Sequence, residues 1–257
     1  MNYLYNKIGL VALLSVITLQ GCAQSQSFSP PANGEQLHFT ATISSELVSS
    51  PIYAVYRSEI CRKENRNSNM EVYTVPGYHR EQYSLTVKAS NQVGANIPMS
   101  GGGKCDWKLS NIKFEVKLKD PLKIDPLISK NFGVEATFVL DNNAPATFDG
   151  GYEQKSGDVN ETLTLFPLVS QRYPSENTKQ IWLISKYKTM TYKVNNSKKI
   201  DINVDYKSDL KSYWYGIKNE GDSMATLVYP NGKQEKTREI FPDYEKLSEI
   251  SESMSPK

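Results

Sequence analysis

The chain has 257 residues, with 30 Lys and Arg against 28 Asp and Glu, so it lacks the basic excess of a nucleic-acid binder. Two histidines, His38 and His79, exclude a His-rich metal centre, and three cysteines exclude a disulfide-dense mini-protein. A hydrophobic content of 39% is enough for a core, in one large domain or two small ones, and excludes a disordered chain or a multi-span membrane protein.

The first element is an address. Lys7 is followed by an uncharged, mostly apolar run from Ile8 to Leu19, the length of a signal-peptide core and too short to span a bilayer. The run ends in Leu19-Gln20-Gly21-Cys22, which resembles the lipobox of bacterial lipoproteins. The resemblance implies removal of residues 1–21, a diacylglyceryl thioether on Cys22 and acylation of the new amino terminus. Several acyl chains on one residue meet the requirement for stable membrane attachment. Ala23 stands where such lipoproteins carry Asp when they are retained in the inner membrane, which implies the outer membrane. Residues 22–35, rich in Ser, Gln and Pro, predict a flexible tether.

The body from 36 to 250 predicts strands. Period-two alternation runs through Leu37, Phe39, Ala41 and Ile43; Tyr83, Leu85, Val87 and Ala89; Ile112, Phe114, Val116 and Leu118; Phe132, Val134, Ala136, Phe138 and Leu140; and Ile200, Ile202, Val204 and Tyr206. Shorter candidates lie at Tyr53–Arg57, Val72–Val75, Thr162–Phe166, Ile181–Lys188, Thr191–Val194, Ser212–Ile217 and Met224–Tyr229. Pro76-Gly77, Gly101-Gly102-Gly103, Asp149-Gly150-Gly151 and Asn231-Gly232 predict breaks, and the last predicts a tight hairpin. The polar stretch Cys61–Asn69 predicts an exposed loop. Cys105, Trp107 and Leu109 are odd-numbered while Ile112 to Leu118 are even-numbered, which predicts a β-bulge near Ser110-Asn111.

Helix is scarce. Residues 119–130 contain Pro121 and Pro126 and predict a connector, the place where the body would divide if it formed two units. Asp243–Ser253 has Tyr244, Leu247 and Ile250 at helical spacing after Pro242 and predicts one short C-terminal helix, with residues 251–257 fraying. The expected fold is mainly β: an antiparallel β-sandwich with one disulfide. In an oxidising envelope compartment with Cys22 acylated, Cys61 and Cys105 remain as a pair, and closing the loop between them gives about 4 kcal/mol in the chain-entropy model.

Catalytic patterns are few. His79 follows the expected turn at Gly77 and predicts a loop histidine rather than a general base; His38 predicts a solvent-facing strand residue. There is no Gly-x-Ser-x-Gly elbow and no His-Glu-x-x-His. Gly101-Gly102-Gly103-Lys104 lacks P-loop spacing. Asp141, Asp149, Asp158 and Glu161, with Asn142 and Asn143, do not follow calcium-loop spacing and predict ordinary loop residues. No metal or cofactor is expected, and no enzymatic activity. Tyr213-Trp214-Tyr215 is the candidate partner contact, because Trp and Tyr dominate interface hot spots; the competing expectation covers both faces of that strand.

Gly101-Gly102-Gly103-Lys104-Cys105-Asp106-Trp107-Lys108-Leu109, with the upstream Cys61, resembles a group of small lipoproteins of enterobacterial type that carry Gly-Gly-Gly-x-Cys-x-Trp-x-Leu. Asp158 to Pro167 and Tyr229-Pro230-Asn231-Gly232 look like further shared landmarks. Such proteins often accompany type VI secretion effectors such as lipases. The resemblance implies an immunity protein that binds and blocks a toxin delivered into the periplasm, held to the membrane through Cys22. The alternatives are a structural or assembly lipoprotein of an envelope machine, and an envelope hydrolase.

Overall fold

A computed structural model describes residues 28–143, 152–172, 177–187, 190–217 and 223–254. In chain order the strands are β1 (Gln36–Thr42), β2 (Leu47–Ser49), β3 (Ile52–Arg66), β4 (Val72–Tyr83), β5 (Thr86–Ala89), β6 (Gln92–Pro98), β7 (Ser100–Gly102), β8 (Trp107–Leu118) and β9 (Ile128–Phe132). They continue as β10 (Val134–Val139), β11 (Tyr152–Ser156), β12 (Val159–Gln171), β13 (Lys179–Ile184), β14 (Met190–Asn195), β15 (Lys199–Tyr206), β16 (Ser212–Tyr215), β17 (Ala225–Val228) and β18 (Gln234–Thr237). One helix, α1 (Tyr244–Met254), ends the described chain, and none of the described helices is long and apolar enough to cross a membrane.

The fold is mainly β, with the expected disulfide and short C-terminal helix. Ten strands form one sheet, in the path β18-β17-β16-β12-β15-β1-β6-β5 with β13 attached to β12 and β9 to β13. Eight form the other, in the path β11-β14-β10-β8-β3-β4 with β2 and β7 attached to β8. Phe39 on β1 meets Phe114 on β8 at 5.0 Å between ring centroids, so the two sheets face each other across the core. The sheets are mixed rather than antiparallel throughout: β1 and β12 flank β15 in parallel, and β14 runs parallel to β10 and β11. Long-range pairing of this kind leaves no local turn signal, whereas hairpins do.

The bulge expected near Ser110-Asn111 is present. Val55 pairs with Asn111 and Tyr56 with Leu109, leaving Ser110 as the extra residue. Trp107, Leu109, Ile112 and Phe114 therefore all reach the core despite their change of parity. The Phe132–Leu140 run is not one strand. Gly133 divides it into β9 and β10, which belong to different sheets. A Cβ at Gly133 would lie 2.3 Å from the Val116 carbonyl oxygen, so the crossing needs a residue without a side chain. The 119–130 stretch holds a 3₁₀ turn at Pro121–Lys123 and the start of β9, and residues on both sides of it share the same core.

Three other expectations change. The polar stretch from Cys61 is strand as far as Arg66, pairing with β4 in a long hairpin; polarity there reflects exposure of both faces rather than loss of pairing. Val87 is exposed, because β5 is an edge strand with no layer over it. The tether is shorter than residues 22–35. Residues 22–27 lie outside the described residues, but from Phe28 the chain lies on the body, with the Ser29 N–H donating to the Gly101 carbonyl at 2.8 Å.

A second, smaller core forms where β12 continues past β15. Phe166 and Leu168 pack with Trp214, Leu227, Tyr229, Leu247 and Ile250 beneath α1, while Leu165 and Val169 on the other face belong to the main core. This part of β12 is buried on both faces, which explains its unbroken apolar run.

Candidate functional site

Cys22 lies outside the described residues. Cys61 and Cys105 form the disulfide, with Cα atoms 5.3 Å apart, at the base of the β3–β4 hairpin. Between the pairs Ser58–Gly77 and Lys63–Val75, β3 carries four residues and β4 only Pro76. Proline has no N–H for the ladder, so a bulge fits opposite it. The Ser58 hydroxyl holds that bulge: it donates to the Cys105 carbonyl at 2.5 Å and accepts the N–H groups of Ile60 and Cys61 at 3.1 and 2.9 Å. A Cβ at Gly77 would fall 1.9 Å from the Cys61 carbonyl oxygen, so the glycine expected to mark a turn instead admits the bulged strand.

His79 is a strand residue of β4, not a loop residue, because Pro76-Gly77 does not end the strand. Its ring stacks on Phe28 at 4.6 Å and its Nε2 lies 2.6 Å from Glu81 Oε1. Behind it Tyr56 bonds Tyr83 and the Pro98 carbonyl, each at 2.8 Å; burial, then the Tyr83 hydroxyl, raises the Tyr56 pKa far above the phenol value. His38 faces outward and lies 2.9 Å from Asn96. The acidic candidates are dispersed: Asp141 pairs with Arg57, Glu161 with Lys155, and Asp158 accepts the N–H groups of Lys198 and Lys199. Asp149 lies outside the described residues. Among the described residues no cluster of three His, Cys, Asp or Glu side chains could hold a metal.

The aromatic triplet is divided between two cores. Trp214 is buried under α1 with its indole N–H donating to the Glu239 carbonyl at 2.9 Å, so of the triplet it is the residue turned into the protein. Tyr213 packs on the main core from the other face, and its ring lies parallel to Tyr215 at 6.4 Å. Both tyrosines are half-buried.

A different aromatic group lines a cavity of about 520 Å³ where β9, β10 and β13 meet the segment leading into α1. Phe132 and Trp182 are register partners on β9 and β13, and their rings stack at 3.8 Å. Phe241 meets Trp182 edge-on at 5.2 Å, and Tyr244 closes the helix side. Glu115 and Lys186 supply one charge of each sign to the lining. The Trp182 indole N–H and Asn131 Oδ1 are buried with no hydrogen-bond partner among the described residues. Asp125 and Lys179 tie β9 to β13; burial opposes the Asp125 charge, but the Lys179 ammonium and the Leu127 N–H bonds hold its pKa below the ordinary carboxylate value.

The volume is that of a binding pocket, and the lining mixes apolar and polar surface in similar amounts. An unpaired buried donor costs about 1–3 kcal/mol, and the indole N–H is closed off from the water-accessible space of the cavity. Sequence reasoning missed this site because its parts come from four separated segments. The only local signals were Gly133 interrupting an apolar run and Phe241-Pro242 ahead of the helix. Comparison of the chain with family models, characterised proteins and solved structures finds no match.

Proposed function

We propose that the protein is a lipid-anchored binding protein of the bacterial envelope, held at the outer membrane and facing the periplasm. Within that class we read it as an immunity protein that binds and neutralises a type VI effector of the lipase kind. The observation that carries a binding role is the aromatic cavity lined by Phe132, Trp182 and Phe241. Such a cavity suits a largely apolar anchoring side chain of a protein partner. The lipobox at Cys22 supports the address, and the Gly101–Leu109 resemblance supports the effector class.

The cavity lies far from Phe28, the first described residue. Phe28, where the described chain begins, adjoins Gly101 and the start of β8 at Trp107. The cavity includes Glu115, eight residues further along the same strand, or roughly 26 Å at 3.3 Å per residue. A partner arriving from the periplasm would thus meet the end of the body remote from the anchor.

The test is co-purification of the membrane-extracted protein with candidate type VI lipase effectors, starting with any encoded next to it, using the parent and Trp182→Ala. The proposal expects a complex with the parent and loss of it in a folded Trp182→Ala protein. Absence of any complex with the parent would overturn it.

A further inference from the structure

We infer that the β3–β4 hairpin is a membrane-seating finger that rests on, and dips its tip into, the bilayer to which Cys22 is attached. The inference rests on the lipid-anchor reading above.

The hairpin is built to protrude. Of β3, only Tyr53–Arg57 pair with β8; beyond them the strand pairs with β4 alone. A two-stranded ribbon is marginal in water by itself. Here the Cys61–Cys105 disulfide pins its base to the body, and the turn is closed by Asn67, whose Oδ1 accepts the N–H groups of Asn69 and Glu71 at 2.9 and 3.0 Å. The result is a braced projection with both faces open.

Its side chains suit a lipid interface. Five of the thirteen large apolar residues left exposed among the described residues lie on this ribbon: Ile60, Met70, Val72, Tyr73 and Tyr78. Met70, at the turn, is 67% exposed. Met70, Val72 and Tyr73 lie at or beside the tip, and Ile60 and Tyr78 nearer the base. Between Glu59 and Arg80, four cations stand against three carboxylates, so attraction to anionic lipid is weak; the turn itself is polar from Arg66 to Asn69, and the exposed Met70, Val72 and Tyr73 beside it must supply the contact.

Chain length then selects the occupant. Phe28 is stacked on His79 of β4, near the ribbon's base. Only five residues, 23–27, separate it from Cys22, and the six residue steps reach about 20 Å. From His79 to Glu71, where the turn begins, β4 runs eight residues, or about 26 Å. With the ribbon pointing at the bilayer, its tip outreaches the anchor by about 6 Å, within the depth at which interfacial elements sit. A protein partner approaching the same tip would have to enter the gap between body and membrane. The lipid surface is therefore the occupant.

The experiment uses the full lipidated chain reconstituted into phosphatidylcholine vesicles with and without brominated acyl chains. Tryptophan is introduced as Met70→Trp, as Val72→Trp in case the left-handed backbone at Met70 (φ 64°) shifts on substitution, and as Met224→Trp for a site outside the ribbon. Brominated lipid should reduce the emission of Met70→Trp and Val72→Trp beyond that of the parent. Met224→Trp should match the parent, and added anionic lipid should change little. If the protein floats with the vesicles and carries the acyl mass on Cys22, but neither ribbon reporter is quenched, the finger inference is overturned and the anchor stands. Protection of the unquenched ribbon by an added effector would reassign it to protein contact. A Cys22 without acyl mass, in a protein that does not float, overturns both.

Discussion

Phe28 lies face to face with His79, ring centroids 4.6 Å apart and planes within 12°, and meets Tyr56 edge-on at 4.8 Å. This contact turns the end of an expected tether into part of the body. Of the expected tether, only residues 22–27 lie outside the described body.

Phe28→Ala should free that segment. Loss of two ring contacts and part of a buried side chain predicts a destabilisation of about 1–2 kcal/mol. Urea titration measures the stability change. Limited proteolysis should find a new early cut ahead of β1, with the body otherwise intact.

Gly77→Ala should be costlier than its size suggests. The added Cβ meets backbone, the Cys61 carbonyl oxygen at 1.9 Å, and that backbone is tied to Cys105. A loss of about 3 kcal/mol or more is expected, comparable with the roughly 4 kcal/mol expected from removing the disulfide. The two should be non-additive, because without the disulfide the bulge can yield. Thermal unfolding of Gly77→Ala in oxidised and reduced protein tests this.

Much of this region was legible in sequence, and the failures are instructive. The parity change across Leu109 and Ile112 located the Ser110 bulge, because core-facing parity is a strict constraint on a one-sided strand. The cysteine pairing followed from compartment and count. The hairpin beyond Cys61 was misread because pattern reasoning takes a buried face as the mark of a strand, and this ribbon has none. The Phe132–Leu140 run kept its parity across Gly133, so nothing in the alternation announced the change of sheet. Trp182 joins Phe132 through a parallel pairing spanning fifty residues, which no local signal encodes.

Acid should loosen the β9–β13 junction. The Asp125 pKa is lowered in the folded state, so its contribution is present above the unfolded carboxylate pKa of about 4 and is lost as pH falls through the folded value. Asp125→Asn should reduce stability at neutral pH and flatten its decline on acidification. Urea midpoints of parent and variant between neutral pH and the acid limb give the comparison. Parallel curves would remove Asp125 from the account.

Trp182 separates folding from binding. Trp182→Phe keeps an aromatic ring against Phe132 but deletes the unpaired indole N–H, so stability should hold or rise, since an unsatisfied buried donor costs about 1–3 kcal/mol. Partner affinity should nevertheless fall, because the smaller ring reshapes the aromatic lining of the cavity. Trp214→Ala should show the opposite pattern, with a loss of stability of about 3–5 kcal/mol through the second core. Calorimetry of folding and of effector binding on both variants distinguishes the roles.

The most direct measurement of the central claim is survival of cells that direct a type VI lipase effector to the periplasm, with and without this protein. The account predicts that the membrane-anchored parent restores growth and that a folded, membrane-localised Trp182→Ala protein does not. Killing that proceeds unchanged in the presence of the parent would contradict it.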